Sequence, residues 1–154
     1  MALVVDDNSY VDSTEADAYF TDRYGSESWF ALTAASKDSC LISACAVLDM
    51  YCVWSGEKTD PAQLLEFPRN GDTEVSKDIK DAQCEIALAV IANGGPVALP
   101  SNALVRLKAD TAELQWHDSA STSQPLYNPL VTGYLKPYCS ANITGSGSAG
   151  VVRV

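Results

Sequence analysis

The sequence predicts a mainly α protein, a small helical bundle with a short antiparallel β-hairpin and a flexible C-terminal arm. Three observations predict this class. Apolar residues recur at helical spacing in three separate stretches before residue 95, the period changes from 3.6 to 2 between residues 103 and 118, and the tail is rich in Gly and Ser. We therefore divide the chain into a helical domain with the hairpin, residues 1–139, and an arm, residues 140–154.

The first helix is predicted to begin at Ser13 or Thr14, which are good N-cap residues, and to end at Gly25. Acidic residues in its first turn complement the positive end of the helix dipole. Its buried stripe is predicted to contain Ala16, Tyr19, Phe20 and Tyr24, with Trp29 and Phe30 packing nearby from the short connection that follows.

Two longer helices follow. Thr33 is a predicted N-cap, and the helix after it is expected to continue to about Val53, before the stop signal at Ser55-Gly56. Its apolar stripe is Leu41, Cys45, Leu48 and Cys52. After a loop rich in Pro and Gly, the next helix is predicted from about Ser76 to Asn93, where Gly94-Gly95-Pro96 ends it.

The last third of the domain combines β and α signals. Alternation around Leu104–Lys108 and Leu114–Trp116 predicts two short antiparallel strands, and residues 119–124 form a polar linker. Asn128-Pro129 is typical of an N-cap and first helical position, so a final short helix is expected to about Tyr138.

The arm ends in four β-prone residues, Val151, Val152, Arg153 and Val154. A flexible arm with such an end favours docking on a neighbour by addition of a strand to an exposed sheet edge. The alternative is a terminus without a role.

Composition limits the classes of function. Ten basic and twenty acidic residues give a net charge of -10, which opposes the counterion release that drives most nucleic-acid binding. No stretch approaches the roughly 20 apolar residues of a membrane span, and no secretory signal is evident, so we expect no membrane partner and a protein that stays in a cytoplasm. The five cysteines form no C-x-x-C pair and are expected to be reduced thiols.

No chemistry of catalysis is predicted. The sole histidine, His117, has no nucleophile motif around it, and no phosphate-binding loop is present. Acidic residues between Asp6 and Asp17 only loosely match a calcium loop. We expect no catalytic residue, cofactor or metal. Several clustered aromatics could stack on single-stranded bases, but helical spacing favours core packing for most of them: Tyr10, Tyr19, Phe20, Tyr24 and Trp29.

A set of segments, in this order along the chain, resembles the head-to-tail adaptor, or connector, proteins of tailed bacteriophages. They are Leu3 to Asp7, Ser9 to Phe20, Trp29, the helix ending Leu48-Asp49 with Trp54-Ser55-Gly56, Leu65 to Gly71, the helix from Val75 to Ala92, the strand pair and the tail ending Val-Arg-Val. Members of this group also resemble proteins labelled DnaT-like single-stranded-DNA-binding proteins.

The resemblance implies a structural virion protein that is made in a host bacterial cytoplasm and lies in the neck, at the head-tail interface. Its copies would form a homo-oligomeric ring, dodecameric in the family, that binds the portal protein and the next neck or tail-completion protein. Genomic DNA would pass through the channel without specific binding. The alternative is a DnaT-like single-stranded-DNA-binding module.

Overall fold

The fold is mainly helical, as predicted. The computed structural model describes residues 2–95, 107–108, 113–114 and 128–142. The order of elements is α1 (Ser13–Thr21), α2 (Glu27–Phe30), α3 (Ala34–Asp49), β1 (Cys52–Trp54), α4 (Lys77–Asn93), β2 (Leu107–Lys108), β3 (Glu113–Leu114), α5 (Pro129–Leu135), a 3₁₀ turn (Lys136–Tyr138) and β4 (Cys139–Asn142).

Helix α1 is shorter than predicted. Asp12 caps it, because its carboxylate accepts hydrogen bonds from the backbone N–H groups of Thr14 and Glu15, each at 2.8 Å. The helix ends at Thr21, so Tyr24 lies beyond it and is 93% exposed. The prediction that Tyr24 belongs to the buried stripe is therefore wrong. Ala16 and Phe20 are buried as expected.

The connection after α1 contains a helix that the sequence did not predict. Helix α2 is only four residues long, too short to show a period. Its Trp29 is fully buried and lies 4.8 Å from Phe20 between ring centroids, which confirms the predicted packing of the indole. Phe30, in contrast, is 48% exposed.

Helices α3 and α4 pack against each other and form the centre of the core. Thr33 caps α3 as predicted, its hydroxyl accepting from the N–H of Ser36 at 3.3 Å, and Leu41 and Leu48 are fully buried. Helix α4 begins after Ser76 and ends at Gly94, which adopts the left-handed conformation with φ +68. Both helix positions agree with the sequence prediction, except that α3 ends at Asp49 rather than near Val53.

A buried glutamine ties the N-terminal segment to this helix pair. The side chain of Gln83 on α4 donates to the carbonyl of Leu41 at 2.9 Å and to the hydroxyl of Ser9 at 2.7 Å. Its oxygen accepts from the N–H of Tyr10 at 3.0 Å. Every polar group of this buried amide is therefore satisfied, as interior polar groups must be.

Tyr10 binds the loop between β1 and α4 to the core through its hydroxyl. Its hydroxyl accepts from the N–H groups of Glu66 and Phe67, at 3.0 and 3.2 Å, and donates to the carboxylate of Asp49. The loop, which the sequence predicted from its breakers, is thus held against the core through one phenol.

A two-stranded antiparallel sheet that the sequence did not predict joins β1 to β4. It contains a disulfide between Cys52 and Cys139, whose Cα atoms lie 5.8 Å apart. The prediction of five reduced thiols is wrong for this pair, because strand pairing brings together two cysteines separated by 87 residues. Cys52 is also in a strand, not on the stripe of α3. Cys40, Cys45 and Cys84 are free and buried.

The remaining predicted elements are present. Strands β2 and β3 pair antiparallel, with Leu107 opposite Leu114, which confirms the hairpin. The side chain of Asn128 caps α5 by accepting from the N–H of Leu130 at 2.9 Å, and the 3₁₀ turn continues to Tyr138 as expected.

Strand β4 includes residues 140–142, the first part of the segment predicted as a flexible arm. The rest of that segment, including Val151 to Val154, lies outside the described residues, as do His117 and the linker 119–124. Among the described helices, none is long and apolar enough to cross a membrane.

Candidate functional site

The segment that connects α1 to α3 presents two aromatic rings to solvent. Tyr24 is the most exposed large apolar side chain of the described residues, and Phe30 at the end of α2 is about half exposed. Buried rings need no explanation beyond core packing, whereas two exposed rings in one short segment make that segment a candidate contact surface. We call Tyr24, Phe30 and Lys37, whose ammonium lies beside Phe30, the aromatic–basic patch.

Arg23 fixes the backbone of Tyr24. Its Nη1 donates to the Tyr24 carbonyl oxygen at 2.6 Å, while Nε and Nη2 donate to Oε1 and Oε2 of Glu85 at 2.6 and 3.1 Å. The bidentate geometry holds the guanidinium rigidly. The peptide that carries the Tyr24 ring is therefore anchored to α4, although the ring itself is free of core contacts.

Glu85 is the buried anchor of this arrangement. Its side chain is fully buried and also accepts from the Tyr19 hydroxyl at 2.7 Å and from Nδ2 of Asn128 at 3.2 Å. Burial alone would raise the pKa of Glu85, but the hydrogen bonds from Arg23 and Tyr19 outweigh burial and hold the pKa below its ordinary value. The carboxylate is therefore ionised at neutral pH and pairs with Arg23.

Lys37 occupies the other half of the patch. Its Nζ lies 5.2 Å from the centroid of the Trp29 ring and 5.4 Å from that of Phe30, within the range of cation–π attraction. The same Nζ donates to Oδ1 of Asp17 at 2.6 Å, and Nε1 of Trp29 donates to that oxygen at 2.6 Å. One carboxylate thus orients both the indole and the ammonium beside Phe30.

Among the residues that the structure describes, most basic side chains are paired with carboxylates. Six ion pairs connect them: Arg23–Glu85, Lys37–Asp17, Lys58–Glu66, Arg69–Glu66, Lys77–Asp81 and Lys80–Glu15. Of the basic side chains that the structure describes, Lys136 alone lacks a carboxylate partner. A groove of free cations that could follow a phosphate backbone is therefore absent from the described ranges.

Other parts of the surface offer weaker sites. A groove of about 460 Å³ between α1 and α4 is lined by side chains of both charges, including Glu15, Asp81, Lys77 and Lys80, which pair with one another. The described residues contain no cluster of side chains that could hold a metal ion. Burial raises the pKa of Cys40 to about 11 and raises the pKa values of Cys45 and Cys84 further, so these thiols are poor nucleophiles at neutral pH.

The sequence named Tyr24 among the aromatics that could stack on bases, but it favoured core packing for the group. The structure separates them: Tyr10, Phe20 and Trp29 are fully buried, whereas Tyr24 is exposed. Phe30 and Lys37 were not predicted as site residues, because their proximity depends on the fold of α2 against α3.

The comparisons with known proteins bear on function. A family model described as "Putative DnaT-like ssDNA binding protein" matches residues 1–154. No curated protein and no solved structure was found to match.

The family match overturns the interpretation as a phage head-to-tail adaptor. The match also contradicts the partners and assembly that this interpretation implied. These are the portal protein, the neck proteins, the ring under the portal, and the passage of DNA without specific binding. Amphipathic stripes, caps and breakers recur in any small helical domain, so the segments that suggested an adaptor do not discriminate between families. The virion as a location stays a prediction.

Proposed function

This chain belongs to the DnaT-like family of single-stranded-DNA-binding proteins, and we propose that it binds single-stranded DNA by stacking bases on Tyr24 and Phe30. The observation that carries the proposal is the exposure of Tyr24 on a peptide anchored by Arg23 and Glu85. A rigid backbone reduces the entropy lost when a base stacks on the ring.

The chemistry of the patch favours single strands over duplexes. A base must leave its stacked pair before an aromatic side chain can cover its face, and unpaired bases meet that condition at little cost. Each stacked base contributes about 1–3 kcal/mol. The Lys37 ammonium, held over the Trp29 and Phe30 rings and paired with Asp17, adds a positive charge beside Phe30.

The charge of the protein limits the expected affinity for DNA. The net charge of -10 and the pairing of nearly all described cations leave little attraction for phosphates. We therefore propose weak binding, with a Kd of about 10⁻⁵ M at low salt, an affinity that sequence-independent DNA binding typically reaches already at physiological salt.

The test is fluorescence anisotropy of a labelled oligothymidylate at low salt, with the wild-type chain and with Tyr24→Ala and Phe30→Ala. Removing one stacking ring should weaken binding about tenfold. Met50→Ala is the matched control, because Met50 is 72% exposed but lies about 20 Å from Lys37 along the axis of α3.

Binding by the Met50 variant should equal that of the wild type. Absence of binding by the wild-type chain at low salt would refute single-strand recognition. Equal affinities of the wild-type and Tyr24→Ala proteins would remove the patch from the mechanism.

We also propose that the protein is not an enzyme. The raised pKa values of the free thiols and the absence of a metal-binding cluster among the described residues support this proposal. Incubating the protein with a single-stranded oligonucleotide, ATP and Mg²⁺ should leave both the strand and the nucleotide intact. Protein-dependent cleavage or hydrolysis that survives repeated purification would contradict it.

A further inference from the structure

Helix α5 and the 3₁₀ turn after it are tied to the core at both ends. At the first end, Asn128 donates to Oε2 of Glu85 at 3.2 Å. At the other end, Cys139 forms the disulfide with Cys52 in β1. Between them, Val131 and Leu135 are fully buried, so α5 and the 3₁₀ turn form one unit that packs against α4.

The burial of Glu85 depends on this unit. Asn128 contacts the carboxylate directly, and α5 packs along α4, the helix that carries Glu85. If α5 separates from α4, water reaches the carboxylate, and its ion pair with Arg23 becomes a solvent-exposed pair of small net stability. Arg23 would then hold the carbonyl of Tyr24 less firmly, and the ring would lose its fixed position.

The two cysteines of the disulfide differ in burial. Cys52 is buried, whereas Cys139 is half-buried. The attack of a small thiolate is therefore assigned to Cys139, the less buried residue of the pair. Bacterial cytoplasm maintains pools of such thiols, and disulfides found in proteins there are usually transient or redox-sensing.

We propose that thiol–disulfide exchange at Cys52–Cys139 regulates single-strand binding by the aromatic–basic patch, an inference that rests on the proposed function. In the oxidised state the disulfide holds α5 against α4, Glu85 stays buried, and Arg23 keeps Tyr24 in place. In the reduced state α5 separates more often and the patch binds more weakly.

The exchange consumes two thiols. A thiolate attacks Sγ of Cys139, the S–S bond breaks, and Cys52 leaves as a thiolate that takes a proton. A second thiolate attacks the sulfur of the small molecule in the mixed disulfide, releasing Cys139 as a thiol. Two small thiols are oxidised to one disulfide, and the protein disulfide is reduced by two electrons.

The experiment uses the full chain purified without reductant. Alkylation followed by intact mass measurement should find three reactive thiols after unfolding, not five. Hydrogen exchange over residues 129–142 and anisotropy with oligothymidylate are then measured before and after dithiothreitol. Cys52→Ser/Cys139→Ser provides a chain without the disulfide and serves as the matched control for the reductant.

Dithiothreitol should raise exchange over residues 129–142 and weaken oligothymidylate binding about threefold or more, the scale of coupling between linked sites. The double variant should show the reduced-state values with or without reductant. Five reactive thiols in the untreated chain would contradict the proposed redox regulation, and so would equal binding by the oxidised and reduced protein. Neither result would contradict single-strand binding itself. Failure of both forms to bind oligothymidylate overturns the proposed function itself, and the regulation with it.

Discussion

The guanidinium of Arg23 donates hydrogen bonds to both carboxylate oxygens of Glu85, a residue 62 positions later in the chain. This ion pair joins a surface segment to the buried face of α4. It also explains how an exposed tyrosine can have a fixed backbone, because the same guanidinium donates to the Tyr24 carbonyl. Stability and the proposed binding surface therefore depend on one interaction.

Replacing Glu85 with glutamine should destabilise the fold by about 2–4 kcal/mol. The change leaves the Arg23 charge without its buried partner, and breaking a buried pair costs more than the pair contributes. Urea unfolding at neutral pH measures the loss. Glu15→Gln is the control, since both side chains of its pair with Lys80 are partly exposed and loss of the pair should cost less than about 1 kcal/mol. Equal losses in the two variants would contradict the buried-anchor role of Glu85.

Acid should reduce the stability that Glu85 provides. The pKa of this carboxyl is lower in the folded state than its ordinary value of 4.5. Its contribution is therefore complete above pH 4.5 and is lost as the pH falls through the lower folded pKa. The difference in unfolding free energy between the wild type and Glu85→Gln should be largest at neutral pH and shrink in acid.

Asp49 acts with the opposite sign, because burial raises the pKa of its carboxyl and the folded protein binds that proton more tightly. This contribution is the same in the wild type and the Glu85 variant, so it cancels from their difference. A difference that stays constant from pH 7 to pH 3 would argue against the ionised, hydrogen-bonded state of Glu85.

Removal of one hydroxyl should distinguish two tyrosines. Tyr10→Phe leaves the N–H groups of Glu66 and Phe67 without their acceptor and Asp49 without its donor, and we expect a loss of about 2–4 kcal/mol. Tyr24→Phe removes an exposed hydroxyl and should change stability by less than about 0.5 kcal/mol. It also keeps the stacking ring, so oligothymidylate binding should persist. Thermal unfolding and anisotropy measure the two effects.

Salt should weaken oligothymidylate binding only slightly. For single strands the slope of log K against log salt is about -0.7 for each neutralised phosphate, and the patch contains one cation, Lys37. We expect a slope of about -0.7. Glu27→Lys, in the first turn of α2, adds a cation near the patch and should tighten binding and steepen the slope by about 0.7. A wild-type slope steeper than about -4 would indicate a phosphate groove that involves other residues.

The sequence by itself determined the elements whose signals are local. Thr33 before α3, Gly94 after α4 and Asn128-Pro129 at α5 act within a few residues through capping and backbone conformation, and each lies where it was predicted. Apolar period likewise identified the buried residues Leu41, Cys45 and Leu48 of α3, because burial against any partner requires the same stripe.

Only the tertiary structure decided which distant residues meet. Cys52 and Cys139 are separated by 87 residues, and Arg23 and Glu85 by 62, so no spacing in the sequence links them. The exposure of Tyr24 was decided in the same way: α1 ends three residues before it, and Arg23 turns the chain toward Glu85 instead of continuing the buried stripe. Pairings of this kind depend on how the helices pack, which a pattern of neighbouring residues does not contain.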